Sequence, residues 1–162
     1  QYTHAAVWTA MGCAEAEMPE ICADILKTIN PASICSETAG ALRYRGEPYF
    51  LAGDVSANPA VPGRCGWSLY TGAAGWFWIA VTETLMGFHF TPEYFTVSPA
   101  LSEHFPAFGI KFTIKGTEYT VLASLGERNS WMLDGKSVNN LFYFDKNSHL
   151  LEITVEKKDG MR

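Results

Sequence analysis

The feature that most constrains this chain is the stretch Ala73–Phe88, which reads as a helix that is apolar nearly all round. A helix of that composition in water-soluble surroundings has to be covered on every side. Its longest uninterrupted apolar run, Ala73 to Val81, is followed by Thr82-Glu83-Thr84. That is far below the roughly 18 residues needed to cross a bilayer. Its neighbours must therefore be protein, and few other helices are on offer. Either the helix packs against the second half of the chain, or its neighbours lie upstream of Gln1. The second reading accounts better for a chain that opens on QYTHAAVW, inside a helical pattern, with no basic leader and no cleavage site. The expectation is a piece of a longer polypeptide.

Two periodicities divide the sequence. Residues 3–13 are rich in Ala and apolar side chains, with Gly12 weakening the end. Pro19 suits a first helical turn, Ile21, Ile25, Leu26 and Ile29 follow at helical spacing, and Asn30-Pro31 stops the segment. Between Gly40 and Gly66 glycines and prolines interrupt the chain, although Pro48–Val55 is compatible with a short helix. After Gly87 the period becomes 2. Phe108, Ile110, Phe112 and Ile114 alternate with Gly109, Lys111, Thr113 and Lys115, and residues 119–123, 141–144 and 151–155 read the same way. Asp134-Gly135 is a hairpin-type turn. Helices first and strands second give an α+β chain, with residues 1–90 as a helical region and 91–162 as a small antiparallel β domain.

Charge and cysteine usage exclude several function classes. With 12 Lys and Arg against 17 Asp and Glu, the net charge is −5. Only Lys157-Lys158 forms a basic pair, so a nucleic-acid footprint is absent. Hydrophobic residues at 48% and charged residues at 18% argue against disorder. Cys13, Cys22, Cys35 and Cys65 form no C-x-x-C pair, and His4, His89, His104 and His149 lack metal-ligand spacing. They read as buried free thiols in a reducing, cytoplasmic compartment.

Chemistry concentrates in GRCGWSLYTGAAGW, residues 63–76. It sets a glycine-rich backbone with Ser68, Tyr70 and Thr71 directly before the apolar helix. The first N–H groups of a helix have no internal partner and attract anions, so Thr71-Gly72 could cradle a phosphate or a sugar hydroxyl. The same residues would serve equally as an ordinary Thr N-cap with tight glycine packing. His4, among Thr3, Ala5, Ala6 and Val7, is either a satisfied core histidine or an anion ligand whose charge changes near neutral pH. Trp67, Tyr70, Trp76 and Trp78 crowd the same loop and helix, as sugar platforms or as core. Glu47, Asp54 and Glu83 are the acids nearest the apolar half. They are better read as structural, with Glu83 able to pair with Arg43, Arg45 or Arg64. No nucleophile elbow, phosphate loop or metal signature is present.

QYTHAAVW (1–8), INP (29–31), EPYFLAGDV (47–55) and GRCGWSLYTGAAGW (63–76) occur together in a familiar order and spacing. They resemble the C-terminal part of the inverting glycoside phosphorylases of glycoside hydrolase family 94, including the related module of cyclic β-1,2-glucan synthases. TVSPALSEHFPAFGIKFTIKGTEYTV (96–121) resembles that family's passage from barrel to terminal β domain. The resemblance implies that residues 1–90 are the last helices of an (α/α)6 catalytic barrel. It implies cleavage of a β-glucosidic bond by inorganic phosphate, with inversion and no other cofactor. It also implies that His4, Thr71 and Gly72 bind phosphate; of the aromatic platforms, Trp67 and Tyr70 are the residues expected to bind the sugar. The family's general acid lies upstream of the QYTHAA motif, so no catalytic acid is expected in this chain and it should be silent alone. Partners implied are a β-linked gluco-oligosaccharide, phosphate and the upstream part of the same enzyme, with no nucleic acid and no membrane; a homodimer is compatible.

Three departures qualify the match. Cys65 replaces a glycine, Leu69 and Ala73 replace Trp and Ser, and Gly53 or Asp54 stands where some disaccharide phosphorylases place a sugar-binding Gln. These lean toward the β-1,2-glucan branch. The alternative is a non-catalytic carbohydrate-binding or structural module, which would have to cover residues 73–88 within the chain or by self-association.

Overall fold

In a computed structural model, the structure describes residues 1–69 and 71–157, and for Thr71 the backbone alone. Five helices come first: α1 (Thr3–Glu15), α2 (Pro19–Ile29), α3 (Pro31–Ile34), α4 (Thr38–Tyr44) and α5 (Thr71–Ile79). Eight strands follow: β1 (Phe88–Phe90), β2 (Tyr94–Val97), β3 (Ala107–Ile114), β4 (Thr117–Gly126), β5 (Ser130–Leu133), β6 (Lys136–Ser137), β7 (Phe142–Tyr143) and β8 (Ser148–Glu156). The α+β reading holds. The chain divides into two compact units, Gln1–Thr82 and Glu83–Arg162.

In the helical unit, α1 packs on α2 and on α5. Pro19 stands at the first turn of α2 as expected. Asn30 ends α2 and caps α3, its Oδ1 accepting from the Ala32 N–H at 3.0 Å. The interior holds Tyr44 and smaller side chains, with Val7, Ala10, Cys22 and Leu26 all 3% exposed or less.

Three expectations fail in this unit. Residues 73–88 are not one α-helix: α5 stops at Ile79, Ala80–Leu85 wind as a π-helix, and Phe88 opens a strand. The Thr82 hydroxyl donates to the Trp78 carbonyl at 2.8 Å where the winding changes, a side-chain bond of the kind that competes with the helical ladder. Nor is that stretch buried all round, since Ala73 and Ala80 are enclosed but Trp78 is 68% exposed. Pro48–Val55 is a turn followed by extended chain, because its amides bond to distant segments rather than to each other.

In the β unit, β1-β2-β7 form one sheet and β3-β4-β8-β5-β6 the other. Period-2 alternation aims Tyr119, Val121 and Ala123 of β4 and Leu151 and Ile153 of β8 into one buried cluster with Phe88, Phe95, Val97 and Phe142 of the smaller sheet. Phe95 sits edge-on to Tyr119 at 4.8 Å between ring centroids. The buried polar ends are satisfied: Tyr119 donates to the Tyr143 carbonyl at 2.7 Å, and Trp131 Nε1 to the Val97 carbonyl at 3.1 Å. The unit is not purely antiparallel. The β4 and β8 strands pair in parallel from Glu118↔Ser148 to Gly126↔Glu156. The connection through β5, β6 and β7 is long enough for that crossover. Leu133↔Lys136 closes a two-residue hairpin whose Asp134 and Gly135 both have positive φ (48° and 75°), the left-handed pair that a type I′ turn requires.

His149 clips that hairpin down. Its Nδ1 lies 2.7 Å from Asp134 Oδ2 and its Nε2 3.0 Å from Asp145 Oδ1, and the ring stacks on Tyr119 at 5.0 Å. Two carboxylate acceptors need an N–H on both ring nitrogens, so the geometry calls for the imidazolium. Burial pulls the His149 pKa down, but the hydrogen bonds to Asp134 and Asp145 outweigh it and hold it above its ordinary value.

Candidate functional site

Three of the singled-out motifs are far apart in sequence, and backbone hydrogen bonds draw them into one short ladder. Residues 53–56 run down its middle. On one side the Thr3 N–H donates to the Gly53 carbonyl at 2.9 Å and the Val55 N–H to the Gln1 carbonyl at 2.9 Å. On the other, the Gly53 N–H donates to the Trp67 carbonyl at 2.7 Å, Gly66 to Asp54 at 2.9 Å and Ser56 to Arg64 at 2.9 Å. Tyr2 is thus bridged to Asp54, and Val55 to Cys65. The ladder fixes where α1 starts, one residue before His4, and where the chain departs toward Thr71.

Glycines make the close approach workable. A Cβ on Gly66 would stand 2.2 Å from an Asp54 carboxylate oxygen, so the Asp54 side chain occupies the space a larger residue would need. A Cβ on Gly46 would lie 2.4 Å from Cys65 Sγ and 2.9 Å from the Tyr44 ring. Cys65 therefore fits here because Gly46 gives up its side chain. Tyr44 beneath it is 1% exposed, and burial followed by the proximity of Cys65 pushes its pKa up to about 12. Burial likewise raises the Cys65 and Cys22 thiols, the latter to about 11, which leaves both as unreactive thiols. All four cysteines are free; Cys22 is fully buried, while Cys13, Cys35 and Cys65 are only half-buried, short of the buried state expected for all four.

His4 stands at the first turn of α1 within an aromatic cage. Trp8, one turn along, meets its ring edge-on at 4.7 Å and 86°, Tyr2 stacks at 6.1 Å, and Trp76 of α5 lies at 6.2 Å. Trp8 and Trp76 themselves cross at 88° and 5.5 Å. Gly72, in the first turn of α5, has its open side toward this ring: a Cβ there would be 3.9 Å from His4 Cε1 and Nδ1. His4 Nε2 is buried and has no hydrogen-bond partner among the described residues. A buried polar atom left without a partner costs about 1–3 kcal/mol, so such an atom points to a missing donor or acceptor. The first N–H groups of α5 are also without helical partners. An imidazole with an unpaired nitrogen, its ring facing a helix start, makes a natural receptor for an oxyanion.

Of the residues predicted from sequence, the structure brings His4 and Gly72 together. Tyr70 and the Thr71 side chain lie outside the described residues. Trp67 is held in the third segment of the ladder and is 68% exposed. Trp8 was not singled out, yet it makes the shortest ring contact with His4; its i,i+4 spacing from His4 on a helix was the available signal. The Asp54 carboxylate lies over Gly66, in the space a Cβ there would need. No cluster of three His, Cys, Asp or Glu residues suited to a metal occurs among the described residues. No helix among them is long and apolar enough to cross a membrane.

The sequence of the glycosyl hydrolase 94 superfamily catalytic domain matches residues 1–87, which include every residue of this site. Over 149 residues, 92% of this chain, the sequence is 32% identical to the cyclic beta-(1,2)-glucan synthase NdvB of Rhizobium meliloti (strain 1021). The chain spans about 5% of that relative's length. The match in residues 1–87, with the relative aligned across both units, shows that the chain belongs to the glycosyl hydrolase 94 superfamily.

Proposed function

We propose that the helical unit supplies the phosphate-binding side of an inverting phosphorylase site acting on a β-glucosidic bond. The observation that carries this reading is the buried, unpaired Nε2 of His4, on a ring whose Cε1–Nδ1 edge faces Gly72 at the start of α5. His4 donates a hydrogen bond to a phosphate oxygen, Thr71 and the Gly72 N–H hold the others, and the α5 start offsets the charge. Phosphate held this way attacks the anomeric carbon on the face opposite the leaving oxygen. The C1–O bond to the leaving sugar breaks, a C1–O bond to phosphate forms, and a carboxylic acid from elsewhere in the enzyme protonates the leaving oxygen. No second carboxylate is required, because phosphate needs only positioning to act as the nucleophile.

In this reading residues 1–90 are the last helices of an (α/α)6 barrel, and 91–162 the terminal β domain. Trp67 and Tyr70 flank the sugar, the upstream part of the same cytoplasmic enzyme supplies the acid, and phosphate is the co-substrate. The chain by itself is inactive, and the reading is compatible with a homodimer. The relative's name points to a β-1,2-linked glucan as the sugar.

The test is to incubate the natural polypeptide carrying this chain with β-1,2-gluco-oligosaccharides, with and without inorganic phosphate, and follow the product by phosphorus NMR. The expected result is phosphate-dependent release of α-glucose 1-phosphate. Binding of the oligosaccharide with no sugar phosphate formed would replace this reading with a non-catalytic carbohydrate module.

A further inference from the structure

Residues 1–90 contain four basic side chains, Lys27, Arg43, Arg45 and Arg64, against eight acidic ones. Three of those four line a single concavity of about 170 Å³, together with Leu42, Val61 and Pro62. In a region of net negative charge, cations are expected to spread among the carboxylates. Here they converge. Glu37 and Glu47 flank α4 in sequence, yet among the described residues none of the three arginines forms an ion pair.

The concavity is built by its backbone. Arg43 lies in the last turn of α4, and Arg45 ends that helix in the left-handed conformation (φ 53°). Arg45 Nε donates to the Leu42 carbonyl at 3.2 Å, which anchors its guanidinium at the rim. The opposite wall is the turn from Asn58 to Arg64, fixed by the Asn58 side chain accepting from Ala60 and by the Gly63 N–H donating to Ser56 at 2.8 Å. Gly63 has φ +76°, and a Cβ there would meet Arg43 Cδ, Cγ and Nε at 3.0–3.2 Å. The turn thus leaves out a side chain where the Arg43 stem passes. All three cations are arginines, whose planar forks suit tetrahedral oxyanions, and none is a lysine. The volume corresponds to about five waters, room for a phosphoryl group and part of its hydration.

We propose that the Arg43–Arg45–Arg64 concavity binds a phosphoryl dianion, at a site separate from the His4–Gly72 pair and independent of the function proposed for that pair. The group is either free phosphate or the phosphate of a monoester, recognised by its oxygens alone.

The test titrates the full chain, labelled at arginine, with inorganic phosphate, with methyl phosphate and with acetate at pH 7.5, following the arginine Nε–H signals by NMR. Saturable, concerted shifts of Arg43, Arg45 and Arg64 are expected with both phosphates and not with acetate. Tighter binding of the ester than of phosphate would assign the site to a phosphorylated ligand, and the reverse order to the free ion; either supports it. Arg43→Gln/Arg64→Gln should weaken binding at least about tenfold. Val61→Glu, which keeps all three arginines and adds a carboxylate at the rim, should do the same, so loss of fold in one variant does not decide the matter. His4→Ala should leave these shifts unchanged. Shifts that never saturate, that acetate reproduces, or that vanish with His4→Ala would overturn the proposal; the last result would leave the His4 reading standing.

Discussion

The two units solve the problem of apolar surface in opposite ways. The β unit closes on itself: Phe95, Tyr119, Phe142 and Leu151 are each 1% exposed or less, and two sheets share them. The helical unit encloses Tyr44 among smaller residues but leaves most of its described aromatic side chains exposed. Tyr2, Trp8, Trp67 and Trp78 are each more than half exposed, and the first two touch His4 or its immediate surroundings. A closed core gives stability without a site. An open aromatic face around an unpaired imidazole gives a site whose stabilisation must come from whatever covers it.

The contrast breaks most directly in the core. Phe95→Ala should cost about 3–5 kcal/mol in urea unfolding of the β unit, whereas Trp78→Ala should change stability by about 0.5 kcal/mol or less. Comparable losses from the two would mean that Trp78 is a core residue and the helical face is not open. A smaller effect is expected from the ladder. Gly66→Ala forces a methyl into the Asp54 carboxylate and should cost about 1–3 kcal/mol in thermal unfolding of the helical unit. Asp54→Ala in the same chain should recover most of that loss, and an additive double variant would show that the clash is elsewhere.

The smallest effect sharpens the β side through pH. Because the folded His149 pKa lies above the free value of 6.5, its contribution is fully present below that value and is lost as pH rises through the folded pKa. Hydrogen bonding to His149 holds Asp145 down at about 2 and keeps Asp134 below 3.8. Their contributions are present above about pH 3.8 and are lost as the pH falls through those lowered values. The clip is therefore complete between about 3.8 and 6.5. The urea midpoint of the β unit should fall between pH 5.5 and 8.5, and His149→Gln should flatten that fall. An equal fall in the variant would remove His149 from the account.

Local signals in the sequence carried much of this fold. Pro19, Asn30-Pro31 and Asp134-Gly135 each impose their own backbone geometry, so α2, its end and the β5–β6 turn were legible from a few residues. Alternation located β3, β4 and β8 but said nothing of direction, since parallel and antiparallel strands share the period of 2. The parallel pairing of β4 with β8 was therefore hidden. So was the ladder joining residues 1–3, 53–56 and 64–67, because the bonds that tie Gln1 and Thr3 to Val55 and Gly53 cross a long stretch of chain and leave no local pattern. The π-winding after Ile79 had no compositional mark beyond Thr82. At the site, the motifs pointed to His4 and Gly72 before any geometry was known, whereas Trp8 and the Gly46–Cys65 exchange became visible only with neighbours in place.

The most direct test of the proposed role is the phosphate dependence of His4→Gln in the natural polypeptide carrying this chain. Loss of one charge-assisted hydrogen bond should raise the KM for phosphate about tenfold or more, with the melting of the β unit unchanged. An unaltered KM for phosphate in a folded variant would contradict the assignment of His4 and Gly72 to phosphate.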